Sequence, residues 1–283
     1  MVSLSATRRV FLVGLNTGYI SNGLPDNRFV DFYRRRSSPQ LYCAIVGNVV
    51  IPGGFGSNEQ TATIDASPVW ETIASAITEK GSVAGIQFST AWNGYEGVRS
   101  FRSSKGRTVI AEARSLVSTF APAQVERLFA ALGEATDLAL AVGFRHIQLH
   151  AAHGYIFSLL LDSRIFEGAR EVLGHVGAWA RRASAAGAET SVRISLRTGD
   201  AVFDATGADT FQDEVSTLPV DFIDVSSGFY NIDKQLIYPA RPEVIADRRA
   251  ETIALAGRFP ARRYIASGRV SVAESILCQT TWI

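Results

Sequence analysis

The sequence predicts an α/β fold, and within that class a (β/α)8 TIM barrel, on three observations. Short apolar runs alternate with longer amphipathic stretches from end to end, the pattern of parallel strands covered by helices. About eight such strands fit into the chain, as a closed barrel of ~250 residues requires. No G-x-G-x-x-G follows the first strand, which disfavours an open dinucleotide-binding sheet. A single barrel domain over residues 1–283 is expected, incompletely closed, because the chain stops where an eighth helix would begin.

The elements follow in order. Val10–Leu15 reads as a buried first strand. Asp26–Arg36 reads as a helix with Phe29, Phe32 and Tyr33 on one side. Leu41–Ile51 is the second strand, stopped by Pro52-Gly53-Gly54. Pro68–Lys80 carries Val69, Ile73, Ala76 and Ile77 at helical spacing, with Gly81 after its end. Val83–Phe88 is the third strand, and the polar stretch from Thr90 to Arg107 is long enough to be a functional loop. Pro122 opens the clearest helix, with Val125, Leu128, Phe129, Leu132, Ala135 and Ala139 in period and Gly143 at its close. Phe144–His150 is the fourth strand. Helices at Val172–Ala186, Phe211–Leu218 and Glu243–Phe259 then alternate with strands at Ser191–Leu196, Val220–Ser226 and Arg263–Ser267. A short helix at Val272–Cys278 and, at most, an eighth strand at Thr280–Ile283 complete the pattern.

Composition narrows the function classes. The formal net charge is +1, without the basic excess of a nucleic-acid binder. No apolar stretch approaches the ~18 residues of a membrane span, and Val10–Leu15 behind Arg8-Arg9 is too short for a signal peptide. Cys43 and Cys278 lack the spacing of a metal knuckle or a redox pair and read as buried thiols of a reducing compartment, so a cytoplasmic protein acting on a small molecule is expected.

Barrel enzymes carry their chemistry at the C-terminal ends of strands. That rule selects Asn16-Thr17-Gly18-Tyr19 after the first strand and Gly47-Asn48 on the second. It selects Gln87 on the third, His150 through Tyr155 after the fourth and Arg193 on the fifth. It also selects Ser226-Ser227-Gly228 after the sixth and Ser267-Gly268-Arg269 after the seventh. His150, His153 and Tyr155 bring two imidazoles and a phenol to one rim, a set that can hold an oxygen and move a proton. The His-x-x-His pair lacks a third ligand at convincing spacing, Asp162 being the nearest carboxylate, so no metal is expected. Arg193, inside Val192-Arg193-Ile194, needs an anionic partner, either an internal acid or a bound electron-rich group. Gln87 serves equally for an internal network or a heterocycle edge, and His146 and His175 read as partly buried or surface histidines. Gly268-Arg269 stands where barrels often bind phosphate.

Taken together, these residues resemble the Old Yellow Enzyme family of FMN-dependent barrels. Gln148-Leu149-His150-Ala151-Ala152-His153-Gly154-Tyr155 is similar to that family's H-x-A-H/N-G-Y-L signature. Weaker matches run in order from Arg9 to about Leu277, among them Asn16-Thr17-Gly18-Tyr19, Gly47-Asn48-Val49, Gln87, Val192-Arg193-Ile194-Ser195 and Ser267-Gly268-Arg269. The resemblance implies that His150 and His153 anchor the substrate's activating oxygen and that Tyr155 donates the proton. It implies an FMN site built from Asn16, Gly47, Gln87, Arg193, Gly268 and Arg269, with Asn16 standing where the family usually has Thr or Cys. The implied reaction is hydride transfer between NAD(P)H, flavin and an activated, carbonyl-conjugated alkene.

Three departures shape the expectation. Leu161-Asp162-Ser163-Arg164-Ile165-Phe166-Glu167-Gly168 replaces a longer family segment, so the substrate roof differs, as suits a specialised biosynthetic substrate. A second phosphate-binding Gly-Arg has no match before Ile283. Ser89-Thr90-Ala91-Trp92 replaces a His-Pro-Gly-Arg-like turn. Two alternatives stay open: a cofactor-free isomerase, dehydratase or cyclase on the same barrel, and a non-catalytic or partner-dependent subunit. A homo-oligomer, or a partner covering the open barrel end, is also expected.

Overall fold

The computed structural model describes residues 9–95 and 107–268. The chain runs through β1 (Phe11–Leu12), a hairpin of β2 (Ile20–Ser21) and β3 (Leu24–Pro25), α1 (Asn27–Arg36), β4 (Cys43–Val50), α2 (Val69–Thr78) and β5 (Val83–Ser89). It continues with α3 (Arg107–Val117), α4 (Pro122–Ala141), β6 (His146–Ala151), α5 (Ile156–Leu161), α6 (Ala169–Ala185) and β7 (Glu189–Ser195). The last described elements are α7 (Ala201–Asp204), α8 (Ala208–Ser216), β8 (Phe222–Ser226), α9 (Lys234–Ile237), α10 (Pro242–Arg258) and β9 (Tyr264–Ala266).

Seven strands form one sheet in the order β1-β4-β5-β6-β7-β8-β9. Every neighbouring pair is parallel. Strands covered on both faces need near-continuous apolar sequence, and β4 buries every residue except half-buried Asn48. The amphipathic helices supply the cover: α2 buries Trp70, Ile73, Ala74, Ala76 and Ile77, and α4 buries Val125, Phe129, Leu132 and Ala139.

The sheet is curled. Phe11, on β1, lies 5.4 Å from the ring of Phe222 in β8, although among the described residues β1 is hydrogen-bonded only to β4, at the other end of the strand order. Beneath these rings a polar network closes the N-terminal end of the barrel. Glu189 accepts from Arg9 Nη1 at 3.0 Å and from the Tyr42 hydroxyl, and it pairs with His146 Nδ1 at 2.8 Å. Ser191 holds the other His146 nitrogen at 2.8 Å. His146 is thus fully buried, not the partly buried or surface histidine that the sequence suggests, because Glu189 and Ser191 satisfy both ring nitrogens. His175 stacks on Phe129 outside the barrel and serves no strand-end site.

The seam between β1 and β9 carries no strand-to-strand pairing among the described residues. The expected helix at Val272–Cys278 and strand at Thr280–Ile283 lie outside them. No helix among the described residues is long and apolar enough to cross a membrane.

Two differences from the sequence reading have local causes. The first strand is only Phe11–Leu12, not Val10–Leu15. Beyond it the chain leaves the parallel ladder, and Gly14 passes so close to the Gln87 amide that a Cβ there would sit 2.8 Å from Oε1. The hairpin at residues 20–25 was not anticipated, although its Asn22-Gly23 turn is the strongest short hairpin signal, with φ of 52° and 79°.

Candidate functional site

The C-terminal ends of the strands surround one cleft of about 1180 Å³. Asn16, Asn48, Gln87, His150, His153, Tyr155, Arg193 and Gly268 all line it. The structure therefore brings together residues that the sequence spreads over some 250 positions. Arg269 lies outside the described residues.

Gly47 packs against the Gln87 side chain, where an added Cβ would lie 2.8 Å from Gln87 Cβ. Its lack of a side chain is what lets Gln87 rise into the cleft wall. The Asn16 side chain, in the cleft lining, donates to Thr61 Oγ1 at 3.1 Å and accepts from the Gly18 N–H at 3.0 Å.

The floor is a chain of buried polar groups. Gln87 Nε2 donates to Gln148 Oε1 at 2.5 Å, and Gln148 Nε2 donates to Ser191 Oγ and, at 3.3 Å, to Asp224 Oδ2. Arg193 Nη1 meets the same Asp224 oxygen at 2.7 Å. The two readings of Arg193 therefore both hold geometrically: it is ion-paired, and it faces the cleft. Asp224 is wholly buried and was missed by sequence reasoning, because Phe-Ile-Asp-Val-Ser reads as an ordinary strand. An acid directly across the ladder from the arginine was the available signal.

The rim comes from the turn after β6. His153 adopts a left-handed backbone at φ 65° and bridges to Phe229, a conformation uncommon for a non-glycine residue and often seen where a side chain is held for function. Its Nε2 shares a 2.8 Å hydrogen bond with Ser226 Oγ, and its N–H donates to Ser195 Oγ. The His150 ring lies 5.0 Å from His153 and 5.3 Å from Tyr155. His150 Nδ1 is buried with no hydrogen-bond partner among the described residues.

A tyrosine roof, unanticipated except for Tyr155, completes the site. Tyr95 and Tyr230 each approach the Tyr155 ring to 5.7 Å, and the Tyr230 and Tyr238 hydroxyls are 2.5 Å apart. Tyr95 comes from the polar loop after β5, whose described part ends with it; residues 96–106 lie outside the described residues. The altered segment after α5 folds back on itself, with Arg164 gripping Asp162 through two nitrogens. Asp162 is therefore committed to an ion pair.

Electrostatics fix the protonation states. Burial and the nearby Arg193 charge hold His150 well below the usual histidine value. Burial, His150, Arg193 and Arg248 do the same for His153. Both rings are neutral at neutral pH, so each offers one donor and one acceptor. Burial, then Tyr95, pushes the Tyr155 phenol far up. A phenol that keeps its proton, beside two neutral imidazoles, can hold an anionic or carbonyl oxygen and deliver a proton.

No protein-family model and no curated protein matches this chain. Among solved structures, one described as the crystal structure of TcOYE with pHBA aligns with a TM-score of 0.65 and 14% identity, over 95% of this chain and 81% of that one. TcOYE is an Old Yellow Enzyme. The likeness establishes the architecture: this chain folds as a (β/α)8-type barrel of the Old Yellow Enzyme shape, with one seam unsealed among its described residues.

Proposed function

We propose that the protein is an FMN-dependent oxidoreductase of the Old Yellow Enzyme type, acting on an activated, carbonyl-conjugated alkene. The observation that carries this reading is the convergence of His150, His153 and Tyr155 on one cleft with Arg193 and Gln87 in its floor.

The residues fit such a cofactor. Small-molecule sites usually measure ~300–1,000 Å³, so about 1180 Å³ accommodates a flat heterocycle and a substrate together. The bare backbones of Gly14 and Gly47 let the Gln87 amide reach the wall, where amides pair with heterocycle edges. His150 Nδ1 and Arg248 Nη1, without a partner among the described residues, are polar atoms that a ligand would satisfy. Arg193 and Gln87 would hold the ring, and the Ser267-Gly268 turn would hold the phosphate end. When bound, FMN supplies hydride chemistry, reduced by NAD(P)H and oxidised by the alkene.

The chain's own residues do the rest. The two imidazoles orient and polarise the substrate oxygen. Tyr155 keeps a proton ready for the alkene carbon α to the carbonyl group and, once it has donated, is reprotonated from solvent past Tyr230 and Tyr238. Tyr95 and Tyr155 pack the inner wall and limit water.

The visible spectrum of purified protein is the direct test. A flavin band bleached by NAD(P)H is expected. A colourless protein that FMN cannot reconstitute overturns the proposal, and turnover by that flavin-free protein would establish the acid–base alternative.

A further inference from the structure

We propose that Arg248, on α10, is an anion clamp of the cleft that takes the phosphate of a phosphomonoester ligand at the Ser267-Gly268 rim. The inference deepens the proposed function, since FMN is one such ligand, but its footing is separate.

The inner face of α10 is a stripe of buried residues, Val244, Arg248, Thr252 and Leu255. A stripe at that spacing normally stays apolar. Here an arginine interrupts it, and only 6% of its surface is exposed. Burying a guanidinium without an acid is costly, so such groups are paired or await an anion. Among the described residues Arg248 Nη1 has no hydrogen-bond partner. Burial and the Arg193 charge pull its pKa down to about 10, against the opposing pull of Asp224.

The charge around it points one way. Arg193 and Arg248 both line the cleft, and no carboxylate does so among the described residues. Asp224 meets Arg193 from behind the wall. Position then selects the group. An added Cβ on Gly268 would lie 2.5 Å from Arg248 Nη1, so the guanidinium rests against the backbone of a strand-end turn. A planar fork of N–H donors beside such a turn suits a dianionic phosphate.

The test uses the full chain as R248M and R248K, with FMN, riboflavin and inorganic phosphate as probes. Removing one charge-assisted hydrogen bond weakens affinity by ~10–100-fold. Wild type should therefore bind FMN at least ~10-fold more tightly than riboflavin by fluorescence quenching. R248M should bring FMN down to the riboflavin level, and R248K should fall between. Equal FMN and riboflavin affinities in wild type, or an R248M loss shared by both, overturns the clamp. If neither flavin binds, the flavin reading fails and phosphate alone decides. A phosphate-dependent rise in Tm in wild type and not in R248M then supports the clamp, and no rise overturns it. Without ligand, R248M should also raise the Tm by removing an unpaired buried charge. A fall matched by E274Q, which alters the one acid in residues 269–283, would instead show an internal ion pair and sink the proposal.

Discussion

Tyr155 shows how one residue acquires a role from its neighbours. A tyrosine in solution is a weak acid near 10, but here burial and Tyr95 raise it further, so it keeps its proton at neutral pH. Y155F should therefore lower ene-reduction ~10²–10⁴-fold while leaving reduction of the flavin by NAD(P)H unchanged, a split that stopped-flow absorbance resolves. Asp224 matters for a different reason. It is the one acid hydrogen-bonded to the buried Arg193 among the described residues. D224N should cost ~3–5 kcal/mol in urea denaturation, the usual penalty for leaving a buried charge uncompensated. Gly47 is a matter of space. G47A forces a methyl against Gln87 Cβ, and overpacking of that kind costs ~1–3 kcal/mol; because Gln87 must move, flavin affinity should fall in the same variant.

At the scale of elements, the helices decide where the rigid wall ends. Helices α4 and α6 are joined by a buried hydrogen bond from Trp179 Nε1 to Thr136 Oγ1 at 3.0 Å. T136V keeps the shape and removes the acceptor, so the stranded indole N–H should cost ~1–3 kcal/mol by thermal unfolding. Helix α5 is short and buried along its whole length, and it follows Tyr155 directly. A strand, a tight turn and an immersed helix therefore fix His150, His153 and Tyr155 on backbone that cannot easily shift, which is where a proton donor is best placed. The tyrosine roof differs. Tyr230 is placed through its N–H to the His153 carbonyl, 3.2 Å away, and Tyr238 is largely exposed.

For the whole molecule, pH is the informative variable. His150 and His153 are held well below the ordinary histidine value of ~6.5. The unfolded chain therefore takes up protons that the folded chain refuses as pH falls through ~6.5. Stability from this pair is complete above that pH and is lost as pH drops toward the folded values. The urea midpoint should fall between about pH 7 and pH 5, and H150Q should flatten the slope. Glu189 adds a separate loss in more acid solution. Burial raises its pKa, but the hydrogen bond and charge of His146, then Tyr42 and Arg9, outweigh burial and leave it lowered. Its contribution is thus present above the usual carboxylate range and disappears as pH falls through the folded value.

The sequence by itself determined the alternation of buried strands and amphipathic helices, and with it the barrel. It also determined that polar residues at strand ends would share one rim. These are properties of periodicity and order, which a single chain displays openly. Asp26 before α1 and Pro122 at the start of α4 are signals of the same local kind. What only the tertiary structure decided involves residues distant in the chain. That Gly47 gives Gln87 its clearance is visible only once β4 and β5 are packed side by side. Arg193 could not be assigned to an ion pair or to the cleft until β8 placed Asp224 beside it. Arg248 stood unnoticed in a helix, because its distinction is to be buried with Nη1 unpartnered among the described residues, and burial is a property of the packed molecule. Local periodicity fixes which face of an element turns inward; the chemistry at that face depends on charges and hydrogen-bond partners that only folding brings within reach.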